Sequence, residues 1–219
     1  MANLKPLVVT AGMGAVTRPN DLRDHQASFD LLTRDTMEIL EYVEPVDSNA
    51  STYSHRIYGV ILRACTDFES LARDLLVAAG ETKPREKMNV LDYRKLEPQL
   101  HLQSVEVHFL PWRPNPLAKT PFRDWSTREP PLAWYATYNA VKHDRGLNFT
   151  RATLDVLMEA LAGQFALLAR ACDCSNWNDY SWSDEGGGNF LFMRQPFVMY
   201  WKDTETKIAA ATGNKEPSR

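Results

Sequence analysis

The sequence predicts an all-α fold: an antiparallel helical bundle with an irregular insertion rich in proline and aromatic residues, and minor β content. Three observations point to this class. Apolar residues recur at steps of three and four through two long segments, the signature of a helix with one buried face. Two shorter segments carry the same period, which completes a set of helices able to pack on each other. Eight of the 13 prolines (84, 98, 111, 114, 116, 121, 130 and 131) fall within residues 81–131, which argues against long helices there.

Residues 1–24 read as an N-terminal arm. Gly12 and Gly14 make a GxG, but no third glycine and no strand-turn-helix pattern follow, so it carries little weight as a nucleotide motif. The first helix is expected from about Gln26 to Tyr42, with Phe29, Leu32, Ile39 and Leu40 on its apolar stripe and Thr36 in the middle turn. It should stop before Pro45, which cannot continue a helix. Asp47 to Ser51 is a turn offering several caps. The second helix is expected from about Thr52 to Ala79. Ile57, Ile61, Ala64, Phe68, Leu71 and Leu75 form its core face, and Gly80 terminates it.

In the insertion, a short helix is expected near Val90 to Leu96, and the alternation from Ser104 to Phe109 suits a strand. Trp112, Phe122 and Trp125 make this stretch too aromatic for a disordered linker. With Trp134 and Tyr135 they read as core and lid packing, although aromatic rings with Arg113, Arg123 and Arg128 between them can also stack on single-stranded bases. A third helix is expected from about Leu132 to Lys142, a break near Gly146, and a fourth helix from about Thr150 to Cys172. Residues 175–189 read as a polar loop, and Asn189 to Met193 and Phe197 to Trp201 as extended segments split by Pro196. The whole is expected to form a single helical domain over residues 25–202, followed by a mobile tail at 203–219.

A net charge of −3 excludes a global basic field of the kind that drives non-specific nucleic-acid binding, so any RNA contact must come from a local patch. Three cysteines form no disulfide framework and no paired zinc motif. Cys65 falls within an apolar helical pattern and should be buried, while Cys172 and Cys174 form a lone CxC. The apolar run Leu7 to Val9 is too short for a signal-peptide core and no stretch reaches membrane-spanning length, so a cytoplasmic, reducing location is expected. No metal site, cofactor motif or membrane partner is expected.

The densest chemistry lies at Tyr138-Asn139-Ala140-Val141-Lys142-His143-Asp144-Arg145. Asn139 and His143 are four apart and share a helix face. His143 can act as general acid or base. Arg145 and Lys142 can hold a phosphate and stabilise developing charge. The same groups can instead serve as a polar clamp between helices, with Asp144 and Arg145 capping or pairing locally.

This segment resembles the motif of the HEPN superfamily, in which an arginine and a polar residue are followed, after three residues, by a histidine on a helix of a four- to five-helix bundle. Asn139 matches the polar position and His143 the histidine. Tyr138 occupies the position of the family's arginine, and Arg145 or Arg63 of the second helix is the candidate replacement. The chain also resembles bacterial proteins that pair a YxxPxxxNxxTYSHRIY segment, here Tyr42 to Tyr58, with YNxVKHDR, here Tyr138 to Arg145. That second likeness names no activity. The superfamily resemblance implies a metal-independent endoribonuclease in a phage-defence or toxin-like role. His143, Arg145 and Asn139 would then be catalytic, RNA the substrate, and a homodimer or partner protein would close the site. The alternative is a non-catalytic interaction module that keeps the motif for structure.

Two further positions bear on the site. His55 and Arg56 open the second helix, whose exposed N–H groups favour anions, so Arg56 joins Lys142 and Arg63 as a phosphate-binding candidate. The competing reading has Ser51, Thr52 or Ser54 cap the helix while His55 is solvated. Glu69 can pair with Arg73 four residues on, reach Lys142 or Arg145 across the helices, or serve as a base partner to His143. Glu69, Tyr138 and Asp144 are therefore supporting candidates.

Overall fold

The computed structural model describes residues 22–125, 132–171 and 196–201. Over these residues the chain is mostly helical. The helices are α1 (Arg23–Leu40), α2 (His55–Ala78), the single turns α3 (Val90–Tyr93) and α4 (Glu97–Leu100), α5 (Ala133–His143), the short α6 (Arg145–Asn148) and α7 (Leu154–Ala171). Three strands, β1 (Val105–Phe109), β2 (Leu117–Lys119) and β3 (Phe197–Trp201), form an antiparallel sheet in the order β2-β1-β3. The GxG at Gly12, Arg128, the CxC, the expected extended segment at 189–193 and the tail at 203–219 lie outside the described residues.

α1 begins three residues ahead of the expected Gln26 and so takes in the end of the expected arm. Asp24 in its first turn carries the charge a helix N-terminus favours. Phe29, Leu32, Thr33, Thr36 and Ile39 are buried, and the Thr36 hydroxyl donates to the Leu32 carbonyl at 2.8 Å, which satisfies the polar group inside the core. α2 starts at His55 rather than Thr52 because Ser54 is the cap: its hydroxyl oxygen accepts from the Ile57 N–H at 3.1 Å. The expected core face of α2 is buried throughout, as is the free thiol of Cys65. At the other end Gly80 takes φ 85°, the left-handed conformation that ends helices.

In the insertion the expected helix at Val90 to Leu96 is α3 followed by a 3-10 turn at 94–96, and α4 continues beyond it. Pro98 sits in the first turn of α4, where its missing N–H leaves no bond unmade. β1 alternates buried and half-buried, as its sequence alternation predicts. The insertion's rings complete the core. Phe68 of α2 meets Tyr93, Phe122, Trp134 and Tyr135 with ring centroids 5.1–6.3 Å apart. Such contacts add roughly 0.5–1.5 kcal/mol each beyond area burial. Trp112 and Trp134 donate their indole N–H groups to Asp47 and to the Pro121 carbonyl. Because Trp112, Phe122, Trp125, Trp134 and Tyr135 are all buried, none is offered to a base from solvent.

α2 and α7 make the most extensive helix contact, and α1 and α5 also pack on both. Fourteen of the 18 residues of α7 are buried, so it is the inner helix. Gly163 marks its closest approach to α5: a Cβ there would stand 2.8 Å from Cζ2 of Trp134. The expected break at Gly146 falls instead at Asp144 (φ −142°, ψ 78°). The Asp144 carboxylate accepts from the Leu147 N–H at 3.2 Å and starts α6, with Gly146 inside it. A 3-10 turn at Phe149–Arg151 follows, which delays the fourth long helix from Thr150 to Leu154.

Candidate functional site

The start of α7 is tied to the approach to α2. The N–H groups of Leu154 and Asp155 donate to the carbonyls of Thr52 (2.7 Å) and Ala50 (2.9 Å), and Tyr53 pairs with Thr153 in an isolated bridge. Thr52 to Tyr58, the end of one segment that stands out in the sequence, thus lies at the start of α7, and Arg145, the last residue of the other, reaches the same corner. Phe149 is its hub. The rings of His55, Tyr53 and Tyr58 lie 4.7, 5.5 and 6.0 Å from it, and the Arg145 guanidinium stands 5.6 Å from it and 5.8 Å from Tyr58. Lys142, His143, Asp144, Arg145 and His55 are all exposed, as are Tyr53 and Leu147, the latter at 83%. Asn139 is half-buried.

Tyr138 is 1% exposed, and its hydroxyl oxygen accepts a 2.9 Å bond from Nζ of Lys142, one helical turn on. That hydroxyl holds the Lys142 ammonium pKa above its ordinary value, with burial opposing and Glu69 adding to the rise. At the position where the resemblance places an arginine, the chain thus has a buried tyrosine that fixes a lysine.

The remaining candidate cations divide between two faces. Arg145 belongs to the corner. Arg56 pairs with Glu38 and Arg63 with Asp35, both acceptors on α1. At about 100° per residue, Arg56 and Arg63 share one side of α2, and Cys65 and Glu69 lie roughly half a turn away. The structure therefore does not gather Lys142, Arg56 and Arg63 around one anion, because the α1-facing side of α2 claims the two arginines.

Glu69 belongs to the interior. It is 7% exposed; Oε1 accepts from the Tyr135 hydroxyl at 2.7 Å and Oε2 from Arg73 at 3.0 Å. The expected i,i+4 pair with Arg73 forms, and across the helices Tyr135 takes the place expected for Lys142 or Arg145. With both oxygens engaged in the core, Glu69 is built as a clamp between α2 and α5 rather than as a base beside the exposed His143. Burial and the bond to Glu69 push the Tyr135 phenol pKa far above its normal range. Burial raises Tyr93 to about 12 against the pull of Arg73. Cys65, one turn before Glu69, has its thiol pushed up by burial and by Glu69, while Lys142 opposes.

Phe149 and Leu147 carry no sequence mark of their own. A single aromatic residue between two helices becomes a hub only when three elements meet on it. Among the described residues, no three His, Cys, Asp or Glu side chains gather as a metal ion would require, and no helix is long and apolar enough to cross a membrane. Comparisons with protein-family models, curated proteins and solved structures gave no match.

Proposed function

We propose that the helices form an antiparallel bundle of the HEPN type and that the protein acts on RNA as a metal-independent endoribonuclease, in a phage-defence or toxin-like role. The reading is carried by the convergence of the α2 start and the α5–α6 turn on one exposed corner. In it His143 transfers a proton, Arg145 and Lys142 hold the phosphate, and Asn139 orients the site. A chain of net charge −3 needs local positive charge to hold RNA, and the stretch that follows α5 has an excess of it, since residues 142–151 contain three cations and one carboxylate. The exposed rings beside them suit an unpaired base, since single-stranded RNA is bound largely by stacking on aromatic and guanidinium planes.

The test is cleavage of a labelled single-stranded RNA in excess chelator. The wild-type chain should cut, and His143→Ala should lose activity by about 100-fold or more while its circular dichroism stays unchanged. A variant as fast as wild type would exclude this mechanism.

A second reading has its own support. Part of the polar cluster is engaged internally, with Lys142 on Tyr138 and Glu69 held by Tyr135 and Arg73. That pattern suits a non-catalytic interaction module, with the exposed Leu147 facing a partner protein or a second copy. A purified chain that cleaves no RNA but co-elutes with a protein partner would favour it.

A further inference from the structure

We propose that the outer face of the His55 ring is a stacking platform for an unpaired nucleobase, with Arg145 beside it on a neighbouring phosphate. This rests on the part of the reading above that makes RNA the ligand, and not on cleavage. It names the residue that selects a single strand.

The rings around Phe149 do not all meet it alike. Tyr53 and Tyr58 approach edge-on, at 87° and 75° between ring planes. His55 lies over Phe149, with centroids 4.7 Å apart and a tilt of 32°. Phe149 thus backs one face of the imidazole. His55 is nevertheless exposed, so its exposure lies on the other face and the edge. Its backbone stands in the first turn of α2, directly after the Ser54 cap, and Phe149 stands in the 3-10 turn ahead of α7. A ring held between two such fixed points is ordered before a base arrives, which lowers the entropy lost on stacking.

Charge decides what lands there. The Arg145 guanidinium stands 5.6 Å from the centre of Phe149 and 5.8 Å from that of Tyr58, and among the described residues no carboxylate pairs with it. Contact through the ring faces leaves the edge of its fork free for a phosphate. Arg151, two residues past Phe149, bonds the Asn148 side chain rather than an acid. Asp144, the one acidic residue of 142–151, is turned to the Leu147 N–H at the start of α6. The His55 ring and the Arg145 guanidinium are separated by no more than about 10 Å, through Phe149. A base on one and a phosphate on the other therefore belong to the same short run of strand. A nucleotide supplies a flat face and an anion in one unit, which is the pairing this surface offers. A base inside a duplex has both faces covered by its neighbours, so the platform takes an unpaired one. Every base has such a face, so it does so with little regard to sequence.

The experiment is binding of a fluorescently labelled single-stranded RNA, read by anisotropy with the full chain. Its 2′-hydroxyls are methylated, so it cannot be cut through the 2′-oxygen. The variants are His55→Ala, His55→Gln, His55→Phe and Arg145→Ala; His55 and Arg145 are exposed, so each should keep the wild-type circular dichroism. His55→Ala and His55→Gln should weaken binding by about 5- to 150-fold, the loss of one stacked base. His55→Phe keeps a flat ring over Phe149 and should bind close to wild type. Arg145→Ala should lower the slope of log affinity against log salt by about 0.7, which His55→Ala should leave as it is. The same strand annealed to its complement should bind more weakly and be indifferent to His55→Ala. If His55→Ala binds as wild type, if His55→Phe is as weak as His55→Ala, or if wild type binds no single strand, there is no platform. Cleavage is judged separately. A chain that binds in this way but cuts no RNA keeps the platform and loses the endoribonuclease; one that cuts RNA while His55→Ala binds as wild type does the reverse.

Discussion

The clamp around Glu69 and the corner around Phe149 both draw side chains from α2 and from α5 or the turn after it, yet they have opposite characters. In the clamp, Glu69, Tyr135 and Arg73 are bonded to each other inside the core. At the corner, His55 and Arg145 are exposed, and Arg145 is steadied by aromatic faces rather than by a carboxylate. Water accounts for the difference. A carboxylate taken out of water needs fixed partners to offset a desolvation cost of several kcal/mol. A solvated side chain needs none and stays available to a ligand. Surface pairs such as Arg56–Glu38 lie between these extremes, since exposed ion pairs contribute only about 0–1 kcal/mol. Density of polar residues in a sequence therefore does not mark a site; the site is where polar density meets solvent.

This contrast can be broken most forcefully at Glu69. Glu69→Ala strands the Tyr135 hydroxyl and Arg73, and should lower stability by about 3 kcal/mol, measured by urea unfolding. Adding Tyr135→Phe to that variant should cost little more, because the orphaned hydroxyl leaves with it. A double-mutant cycle with additive losses would show that the two groups do not act as a unit.

A smaller effect should appear in alkali. Tyr93 has a folded-state pKa of about 12, above the value of about 10 for a phenol in water. Between those values the folded chain keeps a proton that the unfolded chain releases. The stabilisation is thus complete below about pH 10 and is lost as pH rises through about 12. Tyr135 acts in the same direction. Tyr93→Phe should flatten this loss, read from denaturant midpoints across that range. It should change stability far less at neutral pH, because the phenol is neutral there in the folded and the unfolded chain alike. An unchanged alkaline slope would refute the assignment.

The smallest stability change is expected at the corner. His143→Ala and Arg145→Ala should each stay within about 0.5 kcal/mol of wild type, as exposed substitutions usually do. A larger loss for Arg145→Ala would mean that its contacts with Tyr58 and Phe149 hold the fold together, which would move it from the corner's chemistry to the clamp's.

The helices are legible in the sequence because their signals are local. The apolar stripe of α2, the Ser54 cap and the Gly80 terminator each lie within a turn of what they control. The end of α5 is less legible. Gly146 has the character of a breaker, but the Asp144 side chain captures the Leu147 N–H and starts a new turn two residues earlier. Tyr138 shows the limit of motif matching. Its position can be named from the sequence, but its role of holding Lys142 depends on the ring facing inward.

The sequence by itself determined where the helices run, which faces they bury, and that one eight-residue stretch concentrates proton-transfer and cationic groups. Only the tertiary structure decided which of those groups face solvent and what joins them. Glu69 and Tyr135 are 66 residues apart, and Phe149 gathers rings from a segment still more remote in the chain. Periodicity fixes a side chain's direction on its own helix, but its partners are set when helices pack, and that depends on the shape of the whole core.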